Sequence, residues 1–325
     1  MQNSDDKKIA VLDLGTNTFH LLIASVNENS IRFLFRKTIP VVLGQEGLDD
    51  RLIHRDATSR AINALSEFRD HMNYYGVSEH KALATSAIRD ANNGKEFIES
   101  AFRETGIRIE PIAGEREAEL IYRGVKEGVP ITEMSLIMDI GGGSTEFIIC
   151  DQNEIKWKKS FPIGASRLKE KFMHSDPLQE TDVQSMLNYI SLALSELQQQ
   201  IDIFQPSKLI GSAGSFETLC SLADSNYVSY ENWNGAIPEH VIIAAKGFKI
   251  DLNALKKIYA KLIRSTHEER LNIIEIPEVR KDMIIPALIQ LHAVIDSVNP
   301  KELWLSVYSL KEGILYNWLD ELSLS

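Results

Sequence analysis

Cysteine is nearly absent from this chain. Its two thiols, Cys150 and Cys220, lie far apart and form no CxxC pair, which excludes a disulfide framework and a thiolate metal site and leaves buried, reduced side chains as the expectation. The eight histidines include no HExxH motif, and no His-Asp tandem of the kind that marks the helical domains of metal-dependent phosphohydrolases. Long hydrophobic runs are missing as well. The longest apolar stretch, MIIPALIQLHAVI, is broken by Pro286, Gln290 and His292, and it falls short of the ~18 residues that a membrane helix needs. The N-terminal MQNSDDKKIA has no apolar signal-peptide core. A cytoplasmic protein without a membrane partner is expected. Positive charge is in deficit: the net charge is −11 and the isoelectric point about 5.3, so broad binding to a nucleic-acid polymer is disfavoured. A local basic groove for a small anionic substrate is not excluded. No segment rich in Pro, Gly or Ser separates parts of the chain.

What is present is ordinary globular material, 44% apolar and 25% charged over 325 residues, a length that suits two domains of roughly 100–200 residues each. The informative feature is an internal repeat. VLDLGTNTFHLLIA (11–24) lies without gaps on IMDIGGGSTEFIIC (137–150), pairing Asp13 with Asp139, Gly15 with Gly141 and Thr18 with Ser144. Each copy reads as an apolar strand ending in Asp, a Gly/Ser/Thr turn and a second apolar strand. One copy alone is turn chemistry. Two copies in register suggest two related domains, each opening with the same hairpin.

The loops suit phosphate. Glycines let successive backbone N–H groups face one concavity, and the hydroxyls of Thr16, Thr18, Ser144 and Thr145 offer further donors. Aspartates at strand ends repel phosphate directly, but they can hold a divalent cation that bridges to it.

Along the rest of the chain, 51–75 has helical spacing and ends at Gly76, and KALATSA reads as a short strand. Residues 95–105 and EREAELIYRGV read as helices, the latter with Gly124 near its end. IRIEPIAG reads as a strand and a break. A strand and helix follow in EIKWKKSFPIGASRLKEKF, then one long amphipathic helix over 181–204. KLIGSAGSFETLCSL reads as strand, glycine turn and helix. Residues 251–298 are mostly helical, ELWLSV is a late strand, and a last helix starts near 308. Alternating strands and helices indicate an α/β architecture, with the domain break expected between Lys126 and Glu133.

Six blocks in order, VLDLGTNTFHLLIA, LATSAIRDANN, PIAGEREAELIYRGV, MDIGGGSTEF, SFPIGASRLKEKF and LIGSAGSFETL, resemble the Ppx/GppA phosphatases, the exopolyphosphatases and guanosine pentaphosphate phosphohydrolases. EERLNIIEIPEVRKDM and SLKEGIL extend the match almost to the C-terminus. The resemblance implies an actin-like α/β fold: duplicated ribonuclease-H-like domains, here 1–126 and 127–307, facing across a cleft, with a C-terminal helix of about 308–325 packing back on the first. It implies a catalytic glutamate at Glu117, activating water, and a substrate-binding arginine at Arg89. It implies phosphate loops at Gly15, Thr16, Asn17 and Thr18, at Gly141, Gly142, Gly143 and Ser144, and at Ser215, with Mg²⁺ near Asp139, Glu146 and Asp13, and a homodimer.

From the residues alone, Glu117 also reads as an acid complementing a helix dipole, and Arg89 as a surface partner of Asp90. Lys156, Lys158 and Lys159 read as edge-strand charges as readily as a guide for a polyanion. The sequence departs from the family pattern at His20, where many members have Arg. Ala213-Gly214-Ser215 stands for Gly-Gly-Thr, Pro286 for a glycine and Lys311 for an arginine. The long members' extra helical domain is missing from the sequence, so processive attack on very long polyphosphate is not expected. The expected activity is removal of terminal phosphate from polyphosphate; the variant is hydrolysis of guanosine pentaphosphate in the same site. Rival readings are an actin-like small-molecule kinase, which the TSAIRD and GEREAELIY blocks disfavour, and a non-catalytic guanosine-polyphosphate sensor, against which Glu117, Asp139 and Glu146 count.

Overall fold

Residues 7–27, 30–44, 50–224, 227, 234–237 and 246–323 are described in the computed structural model. The first part of the chain runs β1 (Lys7–Leu14), β2 (Thr18–Asn27), β3 (Ser30–Pro40), α1 (Arg55–Tyr75), β4 (Glu79–Ala84), α2 (Ser86–Arg89), α3 (Gly94–Thr105) and β5 (Ile109–Pro111). The middle runs α4 (Gly114–Gly128), β6 (Ser135–Ile140), β7 (Thr145–Cys150), β8 (Ile155–Phe161), α5 (Ala165–Phe172), α6 (Glu180–Ala193), α7 (Ser195–Phe204), β9 (Lys208–Ser212) and α8 (Ala213–Ala223). The remainder runs β10 (Gly235–Ala236), β11 (Gly247–Ile250), α9 (Leu252–Leu262), α10 (His267–Leu271), α11 (Ile284–Val298), β12 (Glu302–Ser306) and α12 (Leu310–Ser323).

Two six-stranded sheets form, with strand orders β10-β3-β2-β1-β4-β5 and β11-β12-β9-β6-β7-β8. The repeat is visible in their pairing. β1 is antiparallel to β2 and parallel to β4, while β6 is antiparallel to β7 and parallel to β9. Register matches residue for residue: Asp13 faces His20 across the first hairpin, and Asp139 faces Glu146 across the second. The core faces match too. Ala10, Leu12, Leu14, Leu21 and Ile23 enter one cluster, and their repeat partners Leu136, Met138, Ile140, Phe147 and Ile149 enter the other. Strand alternation then puts both aspartates on the opposite faces of their sheets. Both halves have the duplicated ribonuclease-H-like topology of the actin-like class.

The helices follow their apolar stripes. α1 buries Ala57, Ala61, Ala64, Leu65, Phe68 and Met72 and stops at Gly76, whose φ of 67° is the left-handed cap that glycine supplies without a Cβ clash. The stretch 181–204 is not one helix: it breaks at Leu194 into α6 and α7. Cys150 and Cys220 are buried and unbridged, and burial pushes both thiols up to about 12, so they stay protonated and unreactive.

Two compact units emerge, one of 1–113, 230–244 and 314–325, the other of 114–229 and 245–313. The division falls before α4 rather than after it. Packing explains this. A Cβ on Gly124 of α4 would lie 2.1 Å from the Ser309 carbonyl oxygen, and one on Gly313 would lie 1.7 Å from that of Leu120. These glycines let the backbones of α4 and the start of α12 meet directly, so α4 belongs with the later residues. From Ile314 on, α12 belongs to the first unit, where Lys81 pairs with Glu321 at 2.7 Å and lies over the Trp318 ring.

Gly124→Ala is expected to destabilise by about 1–3 kcal/mol or more, because backbone must move to admit the methyl. Denaturant unfolding checks it, and an unchanged midpoint would show the crossing to be looser than described.

Candidate active site

The second unit carries a polar row across four adjacent strands. Register aligns Ser212 of β9 with Asp139 of β6, Asp139 with Glu146 of β7, and Glu146 with Ser160 of β8. Neighbours directly opposite in a sheet project to the same face. Ser212 donates its hydroxyl to Asp139 Oδ2 at 2.5 Å, and Ser160 donates to Glu146 Oε1 at 2.6 Å. The carboxylates are 7% and 1% exposed. Each is thus oriented by a serine on its outer flank.

Between the two acids runs the glycine loop. The Gly141 N–H donates to the Ser144 carbonyl at 3.0 Å, closing the turn. The loop carbonyls are taken by the segment that opens α5. Ala165 N–H donates to the Gly141 oxygen at 2.9 Å, and Ser166 and Arg167 N–H donate to the Gly142 oxygen at 2.9 and 3.3 Å. The Arg167 side chain donates from Nε to the Gly143 oxygen at 3.2 Å. In a planar trans peptide the C=O and the following N–H point opposite ways. The N–H groups of Gly142, Gly143 and Ser144 are therefore turned away from α5, as an anion cradle requires. Gly164 permits the approach: a Cβ there would lie 2.4 Å from the Gly142 carbonyl.

Glu117 lies in the first turn of α4 and is 6% exposed. Gly114 seats that turn on β8, since a Cβ there would lie 2.4 Å from the Ser160 Cβ. Ser160 is the residue that donates to Glu146, so one serine joins the start of the Glu117 helix to the acid row. At the N-terminus of α8, the Ser215 hydroxyl approaches the Ile140 carbonyl at 3.5 Å. The second unit thus carries Glu117, Asp139, Glu146, the glycine loop and Ser215.

The first unit holds the other candidates. Its loop repeats the device: Gly15 N–H donates to the Thr18 carbonyl, Val41 and Val42 donate to the Asn17 carbonyl, and Leu43 donates to that of Thr16. The Thr16 and Ser86 hydroxyls are 3.1 Å apart. Asp13 occupies the position of Asp139. In place of Glu146 stands His20, whose ring joins the Thr18 hydroxyl at 2.9 Å to that of Thr38 at 3.0 Å. Arg89 ends α2, with Nε 2.9 Å from Asp90 Oδ1, Nη2 3.2 Å from Oδ2, and Nη1 donating to the Ile112 carbonyl at 3.2 Å.

One reading of the residues changes. Thr145 does not supply the cradle: its hydroxyl donates to Gln290 at 2.8 Å on the core face, because adjacent strand residues alternate and Glu146 takes the other side. The β8 lysines are all engaged, Lys156 by Asp151 and Glu154, Lys158 by Glu119, and Lys159 by Glu196. Sequence reasoning passed over Ser160, Ser212 and Arg167. Ser160 and Arg167 lie in EIKWKKSFPIGASRLKEKF and Ser212 in KLIGSAGSFETL; strand register and helix capping give them their places.

For a divalent cation the donor set is two carboxylates, Asp139 and Glu146, on neighbouring strands of one face. Among the described residues no cluster of three or more His, Cys, Asp or Glu forms a metal cage. That combination fits Mg²⁺, which usually takes one or two carboxylates and completes its shell with waters and substrate phosphate. It does not fit Zn²⁺, which prefers nitrogen and sulfur ligands.

A duplicated actin-like α/β protein with two amide-lined loops and a buried acid row belongs among phosphate-handling proteins. This chain belongs to the Ppx/GppA phosphatase family, whose model matches residues 22–322. It is 37% identical to a crystallised exopolyphosphatase from Cytophaga hutchinsonii, covering 97% of this chain and 98% of that one with a TM-score of 0.90. It is 25% identical to exopolyphosphatase 1 of Mycobacterium tuberculosis, over 96% of this chain and 88% of the relative. It is 27% identical to the guanosine-5'-triphosphate,3'-diphosphate pyrophosphatase of Vibrio cholerae, over 96% of this chain but 59% of that protein.

One residue beside the site is strained. Ala213, at the β9–α8 turn, has φ of 65°, a left-handed conformation that costs an L-residue about 1–2 kcal/mol. Ala213→Gly is expected to raise stability by about 1 kcal/mol, the steric relief outweighing the added chain entropy. A lower unfolding midpoint would show that the alanine methyl makes contacts worth more than the strain.

Proposed function

We propose that this phosphoanhydride hydrolase removes terminal phosphate from inorganic polyphosphate. The observation that carries the reading is that Gly114 seats the start of the Glu117 helix on Ser160, which donates to Glu146 beside the loop whose amides face away from α5. A buried glutamate in the first turn of that helix suits a general base that orients and deprotonates water. The amides of Gly142, Gly143 and Ser144 stabilise charge on the transferring phosphoryl group, and their fixed orientation avoids reorganisation during the reaction. On the same unit Ser215 offers a further hydroxyl; on the first unit Thr16, Asn17 and Thr18 offer donors of their own, and Arg89 a guanidinium fork suited to phosphate oxygens. Asp139 and Glu146 would hold Mg²⁺, which would supply neutralisation of phosphate charge. A homodimer acting in the cytoplasm completes the proposal. Among the described residues no helix is long and apolar enough to cross a membrane.

Polyphosphate ranks above guanosine pentaphosphate because the chain is 37% identical to the crystallised exopolyphosphatase and 27% identical to the pyrophosphatase relative. Phosphate release from polyphosphates of several lengths, guanosine pentaphosphate and ATP, measured with wild type and Glu117→Gln, tests both parts. Wild type should act best on polyphosphate, and the substitution should lower the rate by about 10²–10⁴-fold, the usual loss of a general base. Undiminished activity in Glu117→Gln would remove Glu117 from its role, and faster release from guanosine pentaphosphate would reverse the substrate ranking.

A further inference from the structure

The block SFPIGASRLKEKF contains an arginine to which the proposed reaction gives no part. We infer that Arg167 is a positioning residue: it holds the last peptide of the glycine loop so that the Ser144 N–H faces the phosphoryl group. This rests on the proposed phosphatase reading of the same loop.

A helix leaves its first N–H groups without intrahelical partners, and a capping side chain usually satisfies one of them. The residue at the cap of α5 is Gly164, which has no side chain to offer. The loop supplies its own carbonyls instead, those of Gly141 and Gly142, to the N–H groups of Ala165, Ser166 and Arg167. Those backbone bonds orient the first two loop peptides. The third is oriented by the side chain of Arg167, whose Nε donates to the Gly143 oxygen at 3.2 Å. Planarity then sends the Ser144 N–H the opposite way. Arg167 thus sets the direction of one amide of the cradle.

The helix that carries Arg167 is itself anchored. Lys169 pairs with Asp282 Oδ2 at 2.8 Å, and the Ser166 hydroxyl lies 3.0 Å from the Met283 sulfur. Asp282 also receives Arg270 Nη2 at 3.0 Å and meets His267 Nδ1 at 2.6 Å. Burial opposes ionisation of Asp282, yet Lys169, His267 and Arg270 together hold its carboxyl well below the usual carboxylate range. Arg270, 2% exposed, is fixed in turn by the carbonyls of Lys281 and Ser265. EERLNIIEIPEVRKDM therefore supplies a clamp for α5, and α5 supplies the fixed platform from which Arg167 acts.

The position of the donor separates this role from direct charge contact with substrate. Gln Nε2 is as many bonds from Cα as Arg Nε, so Arg167→Gln keeps a donor where the Gly143 carbonyl needs one while removing the charge. Arg167→Lys keeps the charge but places the nitrogen one atom further out. For Arg167→Ala, kcat/KM on polyphosphate should fall about 10- to 100-fold, the scale of a small misplacement of catalytic groups. Arg167→Gln should recover most of the loss and Arg167→Lys less. The Gln-over-Lys order is readable even if Arg167→Ala fails to fold. Lys recovering as much as Gln, or an unimpaired Ala variant, would overturn the inference. Calorimetric binding of tripolyphosphate separates this from the fate of the functional reading. If wild type releases no phosphate from any substrate, that reading fails, while tripolyphosphate binding weakened by Arg167→Ala and restored by Gln still supports the positioning role. Absent binding in wild type, or binding equal in all the variants, overturns it.

Discussion

The second half of the molecule depends on how one helix begins. α5 has no capping side chain, and its first N–H groups are satisfied by the carbonyls of a loop more than a turn of chain away in sequence. Hydrogen bonding thereby solves two problems together. The helix end is not left with buried, unpaired donors, a defect that costs roughly 1–3 kcal/mol per group. The loop, whose glycines would otherwise sample many conformations, is held with its carbonyls on one side and its amides on the other. The flexible residues are ordered by a neighbour that needs their oxygens.

The first unit reaches the same peptide orientation by another route. There the Thr16 and Asn17 carbonyls accept from Val41, Val42 and Leu43, a non-helical segment. Arg60 steadies it, with Nε donating to the Val41 oxygen at 2.8 Å and Nη2 to that of Val42 at 3.1 Å. Val42 has φ of 48°, an unfavourable conformation for a β-branched residue. Such strain persists only where surrounding bonds determine it, and here Arg60 and the Asn17 carbonyl do so. An arginine on a helix supports each loop, one through a backing strand-end and one through the loop itself.

Much of this was legible in the sequence because the repeat is ungapped. Once Asp13 lies on Asp139, strand alternation assigns every residue of both hairpins to a face, and the faces agree with the structure from Ala10 to Ile23 and from Leu136 to Ile149. The same alternation shows why Thr145 had to leave the list of phosphate donors: its neighbour Glu146 already faces the site. What could not be read was everything set by distant pairing. Ser160 and Ser212 matter through register with strands far away in sequence. The unit that claims α4 is decided by two glycine crossings, Gly124 at Ser309 and Gly313 at Leu120, not by where the helix falls relative to the hairpin. The break at Leu194 carries neither proline nor glycine, so periodicity alone runs through it.

The duplication also serves as an internal control on the chemistry. The two hairpins share topology, register, an Asp at the strand end and the same loop closure, so fold cannot explain where they differ. Across from the strand-end Asp, they differ in kind: His20 stands in the first hairpin where Glu146 stands in the second. A hard cation such as Mg²⁺ binds oxygen and favours carboxylates. Glu146 beside Asp139 offers two on one face, each steadied by a serine. At the first hairpin the imidazole instead links two hydroxyls, Thr18 and Thr38, and so orients the loop's own Thr18. The same scaffold thus presents paired carboxylates, the donor set of the proposed metal site, at the second hairpin and an ordered hydroxyl at the first.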